Sequence, residues 1–189
     1  MTHLWALVAS DAYVLCHPTQ AAFSDGPLLS LTIPLTHTTP FYDMRASVLE
    51  DTCKSFAAGN PGVGYDYCIK FFQASKDSAT ADKRGLAVIA SKLTGAAAKS
   101  IDKHIQALKA SEKDKHIQSG LNDCGDLYSQ AVDLLDVAAK GIATGTPRGK
   151  LDVVANLSGA MVSPQTSEDG FSELGVKSPI SADDSEFTK

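Results

Sequence analysis

At 189 residues the chain has room for one domain with tails, and 43% hydrophobic content is enough for a real core. Abundant alanine beside only 7% aromatic residues favours close-packed helices over a β-sandwich. A formal charge of −5, with lysines and arginines scattered, argues against a nucleic-acid partner, and no apolar run approaches the roughly 20 residues needed to cross a bilayer.

In chain order, residues 1–45 are Thr- and Pro-rich without a sustained period and are expected to be a leader or a disordered segment. The apolar run Leu4 to Cys16 carries Asp11 and lacks a basic stretch before it, and Leu28 to Leu35 is broken by Pro34, so neither is a clean secretory signal. A helical domain is expected over 46–180 and a polar tail over 181–189.

The domain opens on Cys53 and Cys68, which flank a turn of Gly59, Asn60, Pro61, Gly62 and Gly64. Val48, Leu49 and Phe56 precede the turn, and Tyr65, Tyr67, Ile69 and Phe72 follow it. That pattern reads as two short helical arms clipped by a disulfide, a closure worth roughly 3 kcal/mol. Two buried free thiols are the alternative; zinc is disfavoured because no further Cys or His stands at ligand spacing. A clip of this kind suits an oxidising compartment.

Two long helices are expected next. Leu86, Ile89, Leu93, Ala97, Ile101, Ile105 and Leu108 recur at three- and four-residue steps over about 80–110. Ile117, Leu121, Cys124, Tyr128, Ala131, Leu135, Ala138 and Ile142 form a cleaner seam over about 114–143, the pattern of a bundle. A shorter stripe, Leu151, Val154, Leu157 and Met161, follows the Gly/Pro-containing stretch 141–149. Beyond Met161 the pattern fades, with Pro164, Gly170, Gly175 and Pro179 breaking the tail.

Chemistry is hard to find. There is no Gly-x-Ser-x-Gly elbow and no His-Glu-x-x-His pair, and the glycines of 59–64 lack the Gly-Lys-Ser/Thr ending of a phosphate loop. His104 and His116 read as solvated surface, and Asp133 and Asp136 as polar-face residues. No catalytic residue, cofactor or metal is expected. Asn156-Leu157-Ser158 is a glycosylation acceptor sequence, placing a candidate modification at Asn156.

The chain resembles the plant invertase and pectin methylesterase inhibitor family, above all its pollen-allergen-type invertase inhibitors. The pieces that carry the likeness are Asp51-Thr52-Cys53-Lys54, Tyr65-Asp66-Tyr67-Cys68-Ile69-Lys70, Thr80-Ala81-Asp82 through Gly85-Leu86-Ala87-Val88-Ile89, Leu121-Asn122-Asp123-Cys124, Leu127-Tyr128, and Ser167-Glu168-Asp169-Gly170-Phe171. The resemblance implies an all-α fold: an up-and-down four-helix bundle preceded by a disulfide-clipped helical hairpin. It pairs Cys53 with Cys68 and makes Cys124 the first cysteine of a second disulfide. The family's fourth cysteine falls where Ser167 stands, so Cys124 is expected to be an unpaired thiol. The final bundle helix is expected after Pro179, where only a short polar stretch stands, so the last helix is expected to be missing.

Function follows as an expectation from the resemblance. It implies a secreted, non-catalytic inhibitor of the cell wall or apoplast, or of the vacuole, whose partner is a plant invertase ahead of pectin methylesterase. The Pro-Lys-Phe contact tripeptide of invertase-directed members is absent. Lys109, Glu112, Lys113 and Asp114, in the connection between the long helices, form a candidate enzyme-contact loop, with a plain solvated loop as the alternative. The alternative function is a divergent, non-inhibitory helical protein of pollen or seed. Losing a disulfide, at roughly 2–5 kcal/mol, together with a helix would leave it marginally stable, with an exposed seam open to homodimer formation.

Overall fold

The computed structural model describes residues 43–189, with side-chain surroundings from Val48 onward. The leader expected over 1–45, including Cys16, therefore lies almost wholly outside the described residues. The described elements are helical throughout: α1 (Asp43–Gly59), α2 (Tyr65–Gln73), a 3-10 turn (Lys76–Thr80), α3 (Lys83–Ser111), α4 (Lys115–Thr144), α5 (Pro147–Glu173) and α6 (Ser181–Phe187).

The hairpin forms because its turn satisfies its own backbone. Buried Asn60 donates from its side-chain amide to the Phe56 carbonyl at 2.9 Å, and its own carbonyl accepts from Val63 and Gly64. Gly64 then adopts φ +80°, a left-handed value that a side chain would strain, and α2 starts at the next residue. Cys53 and Cys68 are joined, with Cα atoms 5.5 Å apart, so the free-thiol alternative falls. Around the clip, Phe56 and Phe72 pack on Leu86 and Ala90 of α3, seating the hairpin against the bundle.

Each long helix starts on a side-chain cap. Asp82 accepts from the Gly85 amide at 2.7 Å, Asp114 from the His116 and Ile117 amides, and Thr146 from the Gly149 amide. The connections, residues 112–114 and 145–146, are short enough to force antiparallel neighbours. The expected α4 seam is the centre of the molecule: Leu121, Cys124, Tyr128, Ala131, Leu135 and Ala138 are buried against Ala98, Ile101 and Ile105 of α3.

Two sequence expectations need correction here. First, the third long helix continues past Met161 to Glu173, straight through Pro164. Its inward face is Val153, Leu157, Ala160, Pro164, Ser167 and Phe171, a regular alternation of four- and three-residue steps. The stripe read from the sequence was rotated off this face, leaving Leu151 76% exposed. A third of the true face is proline and serine, and another position is only alanine, so hydrophobicity could not reveal it.

Second, the tail is structured. Gly175, at φ +69°, closes α5: the Val176 amide donates to Phe171 and the Gly175 amide to Ser172, a Schellman ending. The chain then turns back through buried Ile180 into α6, which packs between α5 and α3. The fourth bundle position, expected to be empty, is held by this one short helix. The seam expected to be exposed is covered: Leu121, Tyr128 and Ala131 are each 0% exposed.

Candidate functional site

Side chains that the sequence placed far apart converge behind α6. Cys124 of α4 faces Ser167 of α5, Sγ to Oγ 2.6 Å, as the missing disulfide partner should. Ser167 also donates to Asp184 Oδ2 of α6 at 3.2 Å, while Tyr128 donates to Asp184 Oδ1 at 2.5 Å. Asp184 is only 3% exposed. Burial is the main cause pushing its carboxyl up to about 7, with neighbouring Glu168 adding to the rise and the Tyr128 and Ser167 hydrogen bonds opposing it. Burial likewise pushes the Tyr128 hydroxyl far upward and the Cys124 thiol to about 11. Cys124 is therefore a buried, unreactive thiol.

Around this network α6 is tied to other helices at its surface. His104 Nδ1 of α3 lies 2.8 Å from Asp183, and Tyr67 of the hairpin donates to Glu186 at 3.3 Å. Ser181 donates to Glu168 Oε2 at 3.2 Å, and Phe187 stacks edge-on against Tyr128 with ring centroids 5.4 Å apart.

The arrangement offers no reaction centre. The Cys124 thiol and the Tyr128 hydroxyl are buried and hold their protons, and no group of three His, Cys, Asp or Glu among the described residues could hold a metal ion. The groove between α4 and α5 is lined by Asp123, Asp126 and Asp133, with Thr166 of α5 opposite and no cationic side chain among its lining.

Residues 47–189 match the protein family described as plant invertase/pectin methylesterase inhibitor. The chain belongs to this family. Two relatives are each named "Putative invertase inhibitor". That of Platanus orientalis is 31% identical over 150 residues, covering 79% of this chain and 86% of the relative. That of Platanus acerifolia is 32% identical over 147 residues, covering 77% and 80%. No solved structure matches the chain significantly.

Membership makes this an inhibitor-family protein rather than an enzyme, in keeping with the sequence resemblance. The inhibitor-family hairpin is complete, since Cys53–Cys68 is formed. Among the described residues no helix is long and apolar enough to cross a membrane, and the disulfide suits an oxidising compartment.

The four loop residues singled out from the sequence do come together between α3 and α4, but not as equals. Glu112 Oε1 accepts from the Lys113 and Asp114 amides at 2.7 and 2.8 Å, and Asp114 caps α4. Both carboxylates are thus committed to the turn, leaving Lys113 exposed and Lys109 half-buried as the charges presented outward. Asn156 lies mid-helix in α5, half-buried, donating to the Asp152 carbonyl at 2.6 Å. A glycan would take the place of one of the two hydrogens on this nitrogen, and the other is engaged with that carbonyl.

Sequence reasoning missed Asp184, Glu168, Ile180 and Phe187. One signal was available: a tyrosine in the middle of an apolar seam needs a partner for its hydroxyl, and the buried carboxylate of the tail supplies it.

Proposed function

We propose that this protein is a secreted inhibitor that docks on a plant carbohydrate-active enzyme of the apoplast, with invertase ahead of pectin methylesterase. The observation that carries the reading is the family match, which spans the clipped hairpin and the bundle together. The names of the Platanus relatives favour invertase as the target. The disulfide supports export, and the absence of a reaction centre among the described residues suits a protein that acts by binding.

Docking through the α3–α4 connection would rest on Lys109 and Lys113, because Glu112 and Asp114 are occupied by backbone amides. Ser167, standing where the family's fourth cysteine falls, favours the second reading of a divergent member that has lost inhibition. One titration separates the two. Purified plant invertase and pectin methylesterase are assayed separately against the chain at up to micromolar concentration. Inhibition of invertase supports the reading, and activity unchanged for both enzymes overturns it in favour of the divergent member. If the loop is the contact, Lys109→Glu/Lys113→Glu weakens inhibition at least tenfold while leaving the thermal melt in place.

A further inference from the structure

We propose that Asp184 of α6 and Glu168 of α5 share one proton, and that losing it releases α6 from the bundle, so that the joint closes in acid and opens towards neutral pH. Asp184 Oδ1 accepts from Tyr128 and Oδ2 from Ser167. Glu168 Oε2 accepts from Ser181, but Glu168 Oε1 is buried with no donor. The two carboxyl groups interact directly across this joint, and one buried oxygen of the pair, Glu168 Oε1, lacks a hydrogen. A proton held between them supplies that hydrogen and removes one of two like charges. Without it, two carboxylates confront each other out of water, and the small helix carrying one of them can move into solvent.

The other charged groups around α6 do not supply a counter-ion at this point. From α4, Tyr128 and Cys124 face Asp184, and both stay neutral because burial raises them. From α3, His104 pairs with Asp183 at the exposed edge, not with Asp184. From the hairpin, Tyr67 and Lys70 face Glu186, whose carboxyl is held below its usual value mainly by the Lys189 hydrogen bond and, more weakly, by these two. That bond strengthens away from acid, but its effect falls below about pH 4.5, outside the range of interest.

Asp184 has its carboxyl raised in the folded joint to about 7 from an ordinary 3.8. The stability this proton confers is complete below the lower value and is lost progressively as pH rises to the upper one. Between pH 5 and pH 8 the closed-to-open ratio is expected to fall on the order of a hundredfold.

The test is hydrogen exchange, corrected for the intrinsic pH dependence, on the amides of Asp184 and Thr188, which bond to Ile180 and Asp184 across the first and last turns of α6. Their protection should fall by about that factor between pH 5 and pH 8 while the α3 and α4 amides hold steady. Asp184→Asn, which carries a permanent hydrogen towards Glu168 and still accepts from Tyr128, should make protection high and flat with pH. His104→Gln should leave the wild-type dependence in place. Flat protection in the wild-type chain, or a pH dependence surviving in Asp184→Asn, overturns the proposal. Should Asp184→Asn fail to fold, a carbon-13 titration of the wild-type carboxyls decides: a Glu168–Asp184 pair with both midpoints in the ordinary carboxylate range sinks it, and one midpoint near neutrality sustains it.

Discussion

Cys124 and Ser167 sit 2.6 Å apart at their side-chain tips, so one atom separates this chain from a second disulfide. Ser167→Cys is expected to oxidise spontaneously with Cys124, read as a loss of two mass units without reductant. Closing a loop of this length confers about 4 kcal/mol in the chain-entropy model, less about 1 kcal/mol for the lost Ser167–Asp184 hydrogen bond. A denaturant titration should therefore show a gain of about 3 kcal/mol, abolished by reductant. Tyr128→Phe works the other way. It strips the closest donor from a buried carboxylate, and a loss of about 1–3 kcal/mol is expected by the same titration. The Cys124–Ser167 relation was legible in the sequence, because the resemblance aligned the two positions. Asp184 was not: in a stretch reading Ser-Ala-Asp-Asp-Ser-Glu, nothing marks one acid as buried.

Helix α5 shows what periodicity can and cannot reveal. α3 and α4 were legible because their inward positions are apolar at regular steps, and the structure keeps those boundaries within a few residues. In α5 the same steps carry Ala160, Pro164 and Ser167. A buried proline removes one helical hydrogen bond, at about 3 kcal/mol in an exposed helix, and here burial between neighbouring helices holds the element through it. Registry along α4 is fixed by a notch: a Cβ built on Gly120 would collide with the Phe171 ring. Gly120→Ala should consequently destabilise by about 1–3 kcal/mol, as overpacking does. Gly170→Ala, with nothing within 4 Å, should be neutral or stabilising by up to about 1 kcal/mol. Thermal melts of the two variants side by side check the contrast.

Across the whole molecule, the core divides into a hairpin cluster and a bundle cluster, with α3 contributing to both. Composition and the helix order made this architecture readable, while the role of α6 depended on contacts no local pattern carries. Its bonds join residues 119, 79 and 56 positions apart in the chain. Those separations have a kinetic consequence. Loop closure over such spans is costly before the bundle exists, so α6 should dock after the transition state for folding. Phe187→Leu should then accelerate unfolding while leaving the refolding rate nearly unchanged, a φ-value close to zero, whereas Leu121→Ala should slow refolding. Stopped-flow chevrons of the two variants would measure it. A short helix that arrives last and leaves first makes the protein's lifetime, rather than its speed of assembly, the property that this joint controls.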